Sequence, residues 1–101
     1  VVLVALAGCV DGVIIKLMES GGLREALRMI HVARALGFRV MLGCMVETSL
    51  GLTAAAHLSP LADYADLDSS LLLEDDPFRG LTVSKGQILL PEGPGLGVVE
   101  R

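Results

Sequence analysis

The stretch that decides the fold is Asp11-Gly-Val-Ile-Ile-Lys16-Leu-Met18. Val13, Ile14, Ile15 and Leu17 bracket a single charge, the pattern of a buried strand in a parallel sheet. Gly21 and Gly22 then break the chain. From Leu23, apolar residues recur at Ala26, Leu27, Ile30, Ala33 and Leu36, while Arg24, Glu25, Arg28 and Arg34 lie off that stripe, which predicts an amphipathic helix. Gly37 stands where a left-handed residue ends a helix. Phe38 to Met45, carrying Val40, Met41 and Leu42, reads as a second strand. Thr48 or Ser49 can cap a second helix through the Ala-rich stretch Thr53 to Leu58, ending near Pro60. Tyr64 to Asp68 reads as a short third strand. Strand, helix, strand, helix, strand is the order of a parallel α/β sheet with right-handed crossovers.

Outward from this unit the character changes. Val1 to Val10 is an apolar run that Asp11 interrupts, far too short to span a bilayer and without the basic start of a signal peptide. A chain opening at Val1 inside such a run is read as starting at a truncation point. Beyond Ser70, Leu71 to Leu73 lead into the acidic turn Glu74-Asp75-Asp76-Pro77. A hairpin is predicted with Thr82 to Ser84 paired to Gln87 to Leu90 around Lys85-Gly86, followed by an irregular Pro- and Gly-rich tail. The division expected is 1–70 as the α/β unit and 71–101 as a C-terminal extension. A formal charge of −4 leaves no Lys/Arg excess for nucleic acid or an anionic membrane. Cys9 and Cys44, in apolar surroundings without metal-like spacing, read as reduced thiols of a cytoplasmic protein.

Lys16, Cys44 and the pair Asp66/Asp68 fall at or near the C-terminal ends of successive predicted strands, the end at which (β/α) barrels build their sites. A lysine inside an apolar strand costs free energy unless its ammonium reaches water or a partner. Desolvation and neighbouring cations make such lysines general bases, although a strand-end lysine can equally snorkel to solvent. Asp66 and Asp68 share one side of a strand, and two carboxylates converging there call for a metal or an ammonium group between them. The plainer reading is an acidic loop edge before Ser69 and Ser70. Leu71 and Pro77 occupy the positions where a calcium loop needs glycine and glutamate, so that motif is excluded. Gly93, Gly95 and Gly97 imitate a dinucleotide fingerprint without the strand and helix it requires. Glu47 reads as an ordinary helix-start carboxylate. His31 and His57 read as packing or surface groups.

The stretches Asp11 to Met18, Gly21-Gly-Leu23, Met41-Leu-Gly-Cys-Met-Val-Glu-Thr-Ser49 and Ala65-Asp-Leu-Asp68 together resemble the C-terminal half of the barrel in enolase-superfamily enzymes of the muconate-cycloisomerase subgroup. The dipeptide epimerases of the L-Ala-D/L-Glu type are the nearest match, and the tail from Leu71 through Asp76-Pro77-Phe78 to Pro94-Gly-Leu-Gly97 fits them too. The resemblance implies a partial (β/α) barrel of about three of the eight strands. It implies that Lys16 is one of two opposed acid/base lysines, that Cys44 lines the substrate pocket, and that Asp66 and Asp68 hold the α-ammonium of a dipeptide. Mg²⁺ is implied as cofactor, with its acidic ligands, the second lysine and a capping domain all outside this chain. The extension 71–101 is then expected to pack back toward that capping domain. Such a piece alone is expected to be inactive, marginally stable and aggregation-prone. A homo-oligomeric parent enzyme is compatible with the sequence. An N-acylamino-acid racemase, an o-succinylbenzoate synthase, a cycloisomerase, or a non-catalytic βαβ fragment are the alternatives.

Overall fold

The computed structural model describes residues 1–101. A short helix, α1 (Val2–Ala7), precedes β1 (Gly12–Lys16), a single helical turn α2 (Leu17–Ser20), α3 (Leu23–Ala35), β2 (Arg39–Gly43) and α4 (Ser49–Ala56). After a 3-10 turn over Ser59–Leu61 comes β3 (Tyr64–Ala65), and a second 3-10 turn over Ser69–Leu72 leads into the extension. The three strands form one parallel sheet in the order β1-β2-β3, with Ile14 opposite Met41 opposite Tyr64. The α/β class is therefore as expected, and the parallel pairing follows from helical crossovers that return each strand to the same direction.

The helical stripe works as anticipated at its centre. Ala26, Ile30 and Ala33 of α3 are buried against Ile15, Val40 and Leu42 of the sheet. Small residues at two of the three helix positions let the helix lie close to the strands. Leu27 and Leu36, placed on the same stripe from sequence, are exposed at its margins. Gly37 closes the helix with φ +84°, a conformation that costs a residue with a Cβ but not glycine.

Two expectations about the strands need correction. The first strand stops at Lys16, and Leu17 and Met18 turn into α2 instead of continuing it. It is also buried on one face only: Ile15 is 1% exposed, whereas Ile14 is 59% exposed. The helices cover one side of the sheet, and Ile14, Met41 and Tyr64 line the other, uncovered side. The third strand is only two residues long, because the ladder ends where the Asp66 N–H donates to the Leu42 carbonyl at 2.9 Å.

The extension is more tightly held than an irregular tail. The hairpin β5 (Thr82–Ser84) with β6 (Gln87–Leu89) forms around Lys85 and Gly86, both at positive φ, as the two-residue turn requires. β4 (Phe78–Arg79) pairs antiparallel with β7 (Val99–Glu100), a contact between residues too distant in sequence for local pattern to reveal. Leu81 joins Leu52, Ala55, Ala56 and Leu67 in a second buried cluster. Gly80 lies so close to α4 that a Cβ there would sit 2.1 Å from the Thr53 hydroxyl. The Leu81 N–H donates to that hydroxyl at 2.8 Å.

α4 starts at Ser49, with Thr48 as its flanking residue, but neither acts as a self-contained side-chain cap. Asp76, 27 residues downstream, accepts from the Ser49 N–H at 2.9 Å and from the Ser49 hydroxyl at 2.6 Å. It also accepts from the Phe78 N–H at 3.0 Å. A carboxylate is a stronger acceptor than a hydroxyl and favours the positive end of a helix, so it takes the role from the local residues.

Candidate functional site

Parallel register brings the ends of the strands into line. Lys16, the last residue of β1, is opposite Gly43, the last of β2. Leu42 is opposite Ala65, so Asp66 continues the same row beside Gly43. Neighbouring strands lie about 4.8 Å apart, which puts the Lys16 and Asp66 backbones roughly 10 Å from each other. Alternation along β1 turns Ile15 into the helix-facing core and Lys16 to the opposite, open side with Ile14.

Gly43 is what gives the lysine its path. A Cβ at that position would stand 3.0 Å from the Ile14 Cγ2 and 3.4–3.5 Å from the Lys16 Cγ and Cε. The aliphatic stem of Lys16 therefore lies across the bare glycine, and its Nζ comes to 3.7 Å from the Met45 Sδ. No carboxylate pairs with the ammonium: the chain's two salt bridges are Arg28–Glu25 and Arg34–Asp63.

Asp66 and Asp68 are both exposed, and Leu67 between them is 1% exposed in the cluster beneath α4. An outward, inward, outward sequence keeps both carboxylates on the solvent side with no cation between them in this chain. The Arg101 and Lys85 side chains belong to the extension, and neither forms an ion pair with them. Cys44 is half-buried, a free thiol, and packs on one side against the α4 cluster. Cys9 is exposed, not in the apolar surroundings its neighbours suggested.

The residue that sequence reasoning passed over is Glu47. It is 5% exposed, while Val46 before it is 64% exposed, an inversion of the ordinary polarity of the two side chains. Its Oε2 is buried with no hydrogen-bond partner. Burial pushes its carboxyl above the usual glutamate range, and the Met45 backbone N–H partly offsets the rise. Nothing local announces this, because a glutamate just ahead of a helix is the commonest of surface residues. The burial comes from the loop folding Glu47 beneath the first turn of α4, with its carboxyl against Gly51.

Three exposed apolar side chains, Met18, Val46 and Leu50, gather beside half-buried Leu17. Leu17, Met18, Val46 and Leu50 line a groove of about 410 Å³ between α2 and the start of α4, directly above the strand ends. A second concavity, on the uncovered face near the strand starts, is lined by Ile14, Met41 and Tyr64. It lies on the same open face as Lys16, toward the starts of the strands. No group of three His, Cys, Asp or Glu side chains is arranged to hold a metal ion. No helix is long and apolar enough to cross a membrane.

Parallel strands backed by helices, with a lysine and paired carboxylates at their C-terminal ends, define a segment of a (β/α)-barrel enzyme fold. The chain belongs to the enolase C-terminal domain-like family, whose model matches residues 2–100. It is 50% identical over 96 residues to the L-Ala-D/L-Glu epimerase of Bacteroides thetaiotaomicron, covering 95% of this chain and 25% of that protein. The substrate-liganded L-Ala-D/L-Glu epimerase from Bacillus subtilis superposes with a TM-score of 0.88 at 38% identity, over 97% of this chain and 28% of that one. The dipeptide epimerase from Cytophaga hutchinsonii, complexed with Mg and D-Ala-L-Val, gives 0.86 at 36% identity, over 98% and 28%. The chain thus spans about a quarter of the length of these relatives.

Proposed function

We propose that these residues are the C-terminal part of a dipeptide epimerase, an isomerase that inverts the α-carbon of one residue of a dipeptide. The observation that carries the reading is the row Lys16–Gly43–Asp66 across three paired strand ends, with Asp68 on the same side. A dipeptide carries an ammonium at one end and, one α-carbon-to-α-carbon step of about 3.8 Å away, the carbon next to its carboxylate. With the ammonium held by Asp66 and Asp68, that carbon falls within reach of a lysine side chain projecting from the far end of a row roughly 10 Å long.

In this reading Lys16 takes or delivers the α-proton on one face of the substrate, with Nζ as the acid/base atom. Inversion requires a second group on the opposite face, which lies outside this chain. Asp66 and Asp68 anchor the ammonium through charge-assisted hydrogen bonds. Cys44 lines the cleft beside Met45. Relatives are described with Mg, and a divalent cation would stabilise the negative charge that develops when the α-proton leaves. In this reading its acidic ligands come from parts of the enzyme outside this chain. Residues 71–101 are the extension reaching toward a domain that reads the dipeptide's side chains. A cytoplasmic setting with reduced thiols belongs to the same reading.

The test is a chimera: the matched quarter of the Bacteroides enzyme replaced by this chain, then assayed by polarimetry with L-Ala-L-Glu and Mg²⁺. Epimerisation is expected, and Lys16→Met in the chimera should lower it by a factor of about 10²–10⁴, the usual worth of a positioned acid/base group. A folded chimera that leaves dipeptides untouched but racemises N-succinylated amino acids would replace this reading with the racemase alternative.

A further inference from the structure

We propose that Met45 is a modification site, a thioether that a hydroperoxide oxidises to a sulfoxide, which then holds the Lys16 ammonium and silences it. The inference rests on the epimerase reading and deepens it, since it concerns how that site answers to an oxidant. The Met45 Sδ stands 3.7 Å from the Lys16 Nζ and is the one hydrogen-bond partner the ammonium has within this chain. The lysine stem runs over Gly43, where a Cβ would stand 3.4 Å from its Cγ, so amine and sulfur meet just past the end of β2. Met45 is 45% exposed, which leaves its side chain open to a small solute.

A thioether sulfur is a weak acceptor, so it seats the amine without holding its proton. Hydrogen peroxide changes that. The sulfur lone pair attacks one peroxide oxygen; an S–O bond forms, the O–O bond breaks, and the proton on the transferred oxygen passes to the leaving oxygen, which departs as water. Sulfur loses two electrons and the peroxide gains them. The new oxygen carries the negative end of a strong dipole, on an atom already within 3.7 Å of Nζ. A hydrogen bond to it favours the ammonium over the amine. An ammonium held in this way neither sheds its proton to act as the base nor hands it on readily as the acid. The other sulfur groups lack this contact. Met18, more exposed, lies on α2; Cys9 follows α1; and Cys44, half-buried against the α4 cluster, makes no hydrogen bond to Lys16.

The test treats the chimera with hydrogen peroxide and follows kcat alongside peptide mass spectrometry. One oxygen is expected to be added at Met45, with kcat falling by about 10–100-fold, the factor that one hydrogen bond to a charged group carries. A pair of methionine sulfoxide reductases, one for each sulfoxide epimer, should restore the loss, whereas a thiol reductant should not, which separates Met45 from Cys44. Met45→Leu, whatever its starting kcat, should keep nearly all of it through the same treatment. Met45→Gln, which sets a carbonyl oxygen close to the place of the sulfur, should lower kcat further than Met45→Leu does, with no oxidant present. If the substituted chimeras do not fold, the mass change and the reductase arm decide the matter by the same criteria. Full activity with Met45 oxidised, no oxygen added at Met45, equal inactivation of Met45→Leu, recovery by the thiol reductant alone, or a Met45→Gln chimera more active than Met45→Leu each overturns the proposal. An unsubstituted chimera that folds without epimerase activity would instead count against the reading of the site itself, before any oxidant is added.

Discussion

At the level of single residues, the site is a question of which groups lack their own partners. Lys16 has no carboxylate, and Asp66 and Asp68 have no cation, so opposite charges stand at the two ends of one row without neutralising each other. In the proposed reading, an ammonium-bearing ligand completes the acidic end. Asp66→Asn with Asp68→Asn is therefore expected to raise KM of the chimera for dipeptides by about 10–100-fold, the worth of one to two hydrogen bonds to a charged group. The same change should leave N-acylated analogues, which bring no ammonium, bound as before; a competition assay with both ligand types reads the difference. The placing of Lys16, Asp66 and Asp68 at the strand ends was legible in the sequence because charge inside an apolar pattern is conspicuous, while the roles proposed for them come from the family resemblance. Glu47 was not, because a glutamate before a helix is unremarkable until the loop buries it, and the loop's course depends on Ser69 and α4, not on neighbours in sequence.

Among the elements, α4 carries the most consequence, since it follows the site loop directly. Its start is held by Asp76, whose burial opposes the charged form. The Ser49 hydroxyl, the Phe78 and Ser49 N–H groups and the Arg101 charge outweigh that penalty and hold its pKa below the ordinary aspartate range. A depressed carboxyl pKa stabilises the fold fully above the unfolded value of about 3.9 and loses that contribution as pH falls through the lower folded value. Asp76→Ala is expected to cost about 1–2 kcal/mol at neutral pH, as loss of a helix cap does, and the deficit should vanish in acid. Thermal unfolding of the chimera at pH 7 and in strong acid compares the two. On the far side of the helix, Gly80→Ala should destabilise by about 1–3 kcal/mol, because the added methyl meets the Thr53 hydroxyl in a packed interface. Thr53→Ala should relieve part of that penalty, at the cost of the Leu81 hydrogen bond. The order of these elements and the hairpin turn were readable from periodicity and from Lys85-Gly86. The Asp76 cap and the β4–β7 pairing were not, because each joins positions separated by about twenty residues or more.

For the molecule as a whole, only 18 of 101 residues are buried, and the radius of gyration of 14.2 Å exceeds the ~13 Å of a compact domain of this length. The helices supply half a core and the uncovered sheet face supplies none. The chain expressed alone is expected to bind a hydrophobic dye and to elute as multimers under light scattering, through the open face and its unpaired edges. Ile14→Lys, at the middle of that face, should shift it toward the 10.6 kDa species; an unshifted profile would place the self-association elsewhere. The same economy has a further side. No hydrogen bond ties residues 1–8 to the rest, and Val1 alone of them packs on the α3 cluster. The turn between α1 and β1 is thus a natural seam. Within this chain, a break at that seam keeps the lysine, its glycine seat, the acidic pair and their supporting helices together and cuts no hydrogen bond among them.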